Sequence, residues 1–249
     1  MATQHDPGPS NAWKQLFENA PLNHYIAFPQ SPFHTRFGPV FYRGRLNGTA
    51  RVLIIGQDPS SDEILAQRIF VGQAGQIAQS FLTKLGLTKS YLMFNSFLFG
   101  VQSTSLSAGT VAVTEPIIMA YRNSLFDRAK ATNNLAAIIA FGTHAKTCAL
   151  NWPGRGALPV IALMHPTAPS GVAANWNSRL AAAQGAIAPD SDGHADPTPF
   201  STAAAIPATD IPRRDLPFGL PSWHGTGGAT HSQRGSGTSF ESKITWTAP

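Results

Sequence analysis

Residues 52–63 read VLIIGQDPSSDE, and the change of character inside that stretch sets the fold of the whole chain. Four apolar residues, Val52 to Ile55, stop at Gly56, and an acid, Asp58, follows between Gln57 and Pro59. The run 51–55 shows no polar alternation, so it suits a strand buried on both faces, as in a parallel sheet. Three further runs share that character: SYLMF at 90–94, LAAIIAF at 135–141 and LPVIALM at 158–164. Helical spacing fills the gaps. Ala74, Ile77, Ala78, Phe81, Leu82 and Leu85 share one face before Gly86 ends the helix. Ile118, Tyr121, Leu125 and Ala129 outline a second helix, and THAKTCAL at 143–150 a third. Strands alternating with helices predict an α/β fold of three layers: a doubly wound central parallel sheet of about four strands, flanked by helices.

Outward from this core, residues 1–48 are rich in Pro, Asn, His and aromatics and predict an irregular arm packed on the core, with one short helix near Ala12–Asn19. The core domain spans 49–188. Residues 189–249 hold eight of the 20 prolines and seven of the 22 glycines, the composition of an extended tail. Phe200, Phe218, Trp223, Phe240 and Trp246 give that tail anchors for partial packing on the core.

Composition narrows the function classes. No stretch approaches the ~20 apolar residues of a membrane span, and the first ten residues lack the layout of a signal peptide, so a cytoplasmic location and no membrane partner are expected. A single cysteine, Cys148, excludes an internal disulfide framework and any cluster built on several thiolates. The eight histidines form neither a HExxH pair nor a Cys/His cluster, so no metal site is expected. Dinucleotide, P-loop and serine-hydrolase chemistries lack their GxGxxG, GxxxxGK[ST] and GxSxG loops. There are 18 Lys+Arg against 13 Asp+Glu, with a sequence pI near 9.7. Between Ile64 and Ala188 nine basic residues face only Glu115 and Asp127, a balance suited to a polyanion such as DNA or RNA.

In a doubly wound sheet the ligand site lies beyond the carboxyl ends of the strands. The residues there are Gly56, Gln57 and Asp58; Asn95; Gly142, Thr143 and His144; and His165 with Pro166. Each has a plainer reading. Asp58 could cap the next helix, Asn95 could serve a turn, His144 could sit on a helix surface, and His165-Pro166 could be a loop. Their joint placement at strand ends favours chemistry: an acid, an amide and an imidazole converge on one rim.

These pieces resemble the uracil-DNA glycosylase superfamily. GQDPS at 56–60 resembles the GQDPY motif of its Asp-dependent, single-domain members, and HPTAPS at 165–170 their HPSPLS motif. RIFVGQAGQIAQSFLTKLGL at 68–87 and FGTHAKTCAL at 141–150 are closer to the thermophile-type branch, with its GRPFVGxAG loop and LGxxAxxxL helix. That branch carries an iron–sulfur cluster, which one cysteine cannot supply. The resemblance covers roughly 50–187, in the family's order, and the ends of the chain lie outside it.

The resemblance implies an enzyme that flips uracil out of DNA and hydrolyses its glycosidic bond without a cofactor, acting as a monomer in base excision repair. It assigns Asp58 to the oxocarbenium-like sugar and the attacking water, and His165, with the Gln57 amide, to uracil O2 as negative charge develops. Phe70 would stack on the base and Asn95 read its edge. Thr167 and Ser170 would contact phosphates. Two positions depart from the motifs: Ser60 replaces the tyrosine that walls off a 5-methyl group, and Pro169 the leucine wedge. The expected substitutes for the wall are the Phe70 loop, Phe41 or Tyr42. The alternatives are a catalytically weak nucleic-acid-binding relative and an unrelated flavodoxin-like module that binds a small anion at the same rim.

Overall fold

The protein was analysed as a computed structural model, which describes residues 5–29, 32–102, 110, 112–201 and 206–217. Phe218, Trp223, Phe240 and Trp246, the further anchors expected in the tail, lie outside those residues. The four apolar runs become β2 (Val52–Gly56), β3 (Tyr91–Asn95), β4 (Ala137–Phe141) and β5 (Val160–Leu163). They pair in parallel, in the order β3-β2-β4-β5. A two-residue strand, β1 (Arg43–Gly44), adds to β3 in antiparallel register and completes a five-stranded sheet among the described residues.

Alternate residues explain the unbroken apolar runs. Leu53, Ile55, Leu92, Phe94, Ile138 and Ala140 face one core, and Val52, Ile54, Tyr91, Met93, Ala137 and Ile139 the other. The first core is covered by α1 (Asn11–Glu18), α5 (Pro116–Thr132) and α6 (Thr143–Leu150). The second is covered by α4 (Gln73–Lys84) and α7 (Val172–Ala186). The edge strand β5 departs from the expectation of full burial, because Val160 and Ala162 are only partly covered.

The arm packs on the first core and carries two short helices. Trp13 and Phe17 of α1 and Tyr25 of α2 (Leu22–Ile26) are buried in the first core, and the Trp13 indole donates to the Leu46 carbonyl at 2.9 Å. The tail begins with Asp190, whose carboxylate takes the amides of Thr88 and Lys89, the Ser90 hydroxyl and Arg51 Nη2. Burial opposes ionisation there, but these donors outweigh it and hold the Asp190 pKa well below its usual value. Phe200 then stacks on Phe81. Among the described residues, no helix is long and apolar enough to cross a membrane.

Register places the site. Gly56 pairs with Asn95, and Phe141 with Leu163, so the strands end on one level. From β2 the chain passes to β3 on one side and later crosses to β4 on the other. That reversal opens the crevice where α/β sheets bind ligands.

Candidate active site

A cavity of about 340 Å³ opens on this rim, lined by Gln57, Asp58, Ser60, Phe70, Asn95, His165 and Thr167. Seven of the nine residues singled out in the sequence therefore meet in one cavity. Pro169 and Ser170 do not line it; they are exposed in the turn before α7.

Asp58 leaves the end of β2, and its Oδ2 accepts a 2.7 Å hydrogen bond from the Val101 amide. Burial raises its pKa above the usual 3.8, a shift moderated by that amide and by the Gln57 side chain. Asp58 is not the cap of the next helix. That place belongs to Ser60, at the start of α3 (Ser61–Ala66).

His165 shows the opposite shift from the same cause. Burial lowers its pKa below 6.5, with Glu63 opposing. Its Nδ1 lies 3.4 Å from the Thr167 amide and 3.0 Å from the Thr167 hydroxyl. An amide N–H only donates, so Nδ1 is the acceptor, and the neutral ring carries its proton on Nε2. Thr167, expected at a phosphate, thus orients the imidazole.

Gly56 is required at the strand end. A side chain there would collide with Asn95 Oδ1 and come within 2.6 Å of the Phe70 ring. Phe70 meets Phe141 edge-on at 5.6 Å between centroids and adopts φ 54°, a left-handed conformation uncommon for a bulky residue. Its carbonyl accepts from Arg43 Nη1 at 2.5 Å. Gly75 lies so close beneath the Phe70 backbone that no side chain fits there.

Sequence reading missed Glu63, which ties the two halves of the cavity together. Its Oε2 accepts from the Ser60 amide at 3.0 Å and from the Ser60 hydroxyl, while Oε1 accepts from the Val71 and Gly72 amides at 3.0 and 2.9 Å. The signal was present: Ser60-Ser61-Asp62-Glu63 has the S-x-x-E spacing of a capping box. Asp62, Gly72, Gln73 and Ala74 also line the cavity. The aromatic candidates for a pyrimidine wall lie elsewhere. Phe41 stacks on Phe17 at 4.6 Å, and the Tyr42 hydroxyl donates to Asp6 at 2.7 Å. His144 is buried against Phe97 and does not line the cavity.

An iron–sulfur cluster does not fit this chain. Cys148 is its one cysteine and is buried within α6, and among the described residues no group of three His, Cys, Asp or Glu side chains could hold a metal ion.

Around this one cavity the rim offers a carboxylate whose ionisation burial opposes, an imidazole that burial favours in its neutral form, a carboxamide and an aromatic ring. No curated protein matches the chain. Residues 43–190, more than half of the sequence and the whole of the sheet with its rim, match the model of the uracil DNA glycosylase superfamily, and the chain belongs to that superfamily.

Proposed function

We propose that the protein excises uracil from DNA by hydrolysing its N-glycosidic bond and leaves an abasic site for base excision repair. The observation that carries this reading is the convergence of Asp58, Asn95, Phe70 and His165 on one cavity. A base in a duplex must leave the stack to reach such a cavity. Phe70 then offers a face to the ring. The Asn95 carboxamide suits the O4 and N3–H edge of uracil and is mismatched to cytosine, whose amino group reverses that pattern.

As the bond between C1′ and N1 breaks, its electron pair leaves with uracil, and positive charge gathers on the sugar. The Asp58 carboxylate stabilises that charge and accepts a proton from the attacking water, whose oxygen becomes bonded to C1′. The departing uracil anion gathers charge on O2, where a neutral His165 Nε2–H donates a hydrogen bond. Neither role calls for a metal ion. Within the superfamily we read the chain as a hybrid, with a GQDPS turn from the Asp-dependent type and a thermophile-type loop around Phe70, acting as a cytoplasmic monomer.

A single-turnover assay on a uracil-containing oligonucleotide tests this reading. Alkali-labile abasic sites should form at uracil in the native protein. In Asp58→Asn the rate should fall by orders of magnitude, and in His165→Ala by roughly 10²–10³, the usual effect of removing one preorganised oxyanion donor. Binding to the oligonucleotide with no abasic product would instead identify a DNA-binding relative without activity.

A further inference from the structure

Residues 206–217 lie beyond residue 190, where the family match ends, yet they reach back to the loop that carries Phe70. Asp215, on the short 3-10 turn Arg213–Asp215, is wholly buried. Its Oδ2 accepts from Arg43 Nε at 3.1 Å and from the Tyr91 hydroxyl at 2.7 Å, and its Oδ1 from Arg45 Nη1 at 2.7 Å. Arg43, equally buried, directs its remaining nitrogens to the Phe70 carbonyl and the Gln79 carboxamide. The tail also packs beside Phe70. Ile211 and Leu216 form a cluster with Val71, the next residue of the loop, and with Ala66.

The left-handed Phe70 backbone persists only if its surroundings over-determine it. Arg43 is suited to that task because its planar fork fixes two directions at once: Nε to the carboxylate and Nη1 to the carbonyl. Without Asp215, Arg43 would be a buried cation facing no carboxylate, an arrangement proteins avoid by moving or hydrating the charge. Either response would release the Phe70 carbonyl.

We infer that the C-terminal segment is part of the active site, with Asp215 acting through Arg43 as a positioning residue that holds Phe70 against the flipped base. The role of Phe70 rests on the glycosylase reading; the Asp215–Arg43–Phe70 linkage does not.

The test uses the full chain carrying Asp215→Asn, Arg43→Lys or Leu216→Ala, each alone and combined with Phe70→Ala. Leu216→Ala leaves the ion pair intact and is the variant expected to fold even where Asp215→Asn does not. Two quantities are read well below each melting temperature: kcat/KM on a uracil-containing oligonucleotide, and hydrogen exchange at the Val71 and Gly72 amides. Asp215→Asn and Arg43→Lys should each lose about tenfold or more in kcat/KM, in the range expected for weakening one base-stacking contact, and Leu216→Ala, which loosens the segment on Val71 but keeps the ion pair, a smaller part of that. Added to Phe70→Ala, the same change should cost little further, and exchange at Val71 and Gly72 should rise while β3 and β4 stay protected. Additive losses, an unchanged kcat/KM, or exchange rising evenly across the sheet would each overturn the inference. If the native protein excises no uracil, the glycosylase reading fails by itself, and exchange alone decides: a selective rise sustains the linkage and its absence ends it.

Discussion

Asp58 and His165 are moved apart in charge by one physical cause. Burial penalises whichever form is ionised, so it raises the carboxyl and lowers the imidazole. Burial thus favours the neutral imidazole donor that an anionic base requires, and it works against the carboxylate that a cationic sugar requires, which the Val101 amide and the Gln57 side chain support. For Asp58, the folded protein keeps a proton above pH 3.8, where the unfolded chain has lost it. Stability then falls as pH rises through that window, as the buried carboxyl is made to ionise. Asp58→Asn should melt higher than the native protein at pH 7, by about 2–4 °C for each kcal/mol relieved, while excising far more slowly. An equal or lower melting temperature would show that the Val101 amide more than offsets the burial. For His165 the sign is reversed. Below pH 6.5 the unfolded chain binds the proton first, so this residue's contribution to stability is lost as pH falls. Single-turnover rates should fall on the acid side with an inflection above 3.8, as Asp58 takes up its proton. The residual rate of Asp58→Asn should lack that inflection.

At the scale of elements, the end of β2, the start of α3 and the Phe70 loop form one unit, fastened by Glu63. Gly56→Ala forces Asn95 and Phe70 away from the strand end. A displacement near 1 Å in a catalytic site can cost on the order of 10²-fold, so excision should fall by about that much while the circular dichroism spectrum of the sheet is retained. Ser60→Ala removes a cap and should cost about 0.5–2 kcal/mol of stability. Ser60→Tyr should show a comparable loss without sharpening base choice, because the serine hydroxyl is engaged by Glu63. The Phe70 loop and the first turn of α4, through Gly72, Gln73 and Ala74, supply the remaining cavity wall. We expect this wall to exclude thymine. Readily detected excision from T·G pairs would show that the space left by the missing tyrosine stays open to a 5-methyl group.

Across the whole molecule, the basic surplus gains a location. Lys146 and Arg179, with Gln57 and His165, line a second cleft of about 420 Å³ beside the active-site cavity. Cations there are suited to hold the phosphates flanking a flipped nucleotide. Each phosphate contact adds roughly −0.9 to the slope of log K against log salt. Lys146→Ala and Arg179→Ala should each weaken DNA binding and reduce that slope by about 1, with single-turnover excision at saturating protein unchanged. A slope that does not move would place the DNA path on another face. The described parts of the arm and of the tail contribute at this scale as well. The Asp6 amide donates to the Leu216 carbonyl at 2.9 Å, and the Asp6 carboxylate holds Arg68 at 2.9 Å, so arm and tail meet behind the Phe70 loop.

The four long strands, the flanking helices around Phe81, Leu125 and Ala145, and the rim bearing Asp58, Asn95 and His165 were all legible in the sequence. Their signal is local: an apolar run buried on two faces, a helical period, and a polar residue directly after a strand. The strand β1 was not legible, because its two residues are an arginine and a glycine, and its pairing depends on partners far along the chain. Gly44 fits there because a side chain would strike the Tyr91 carbonyl, and Arg43 is buried because Asp215, 172 residues later, receives it. Helix α7 went unread because only Trp176, Leu180 and Ala183 of its fifteen residues are buried, a stripe too thin to stand out among alanines. The left-handed turn at Phe70 and the reach of Glu63 to the Val71 and Gly72 amides were likewise decided only by tertiary contacts. Each depends on groups brought together from separate stretches of the chain, and that is a property of the packed molecule.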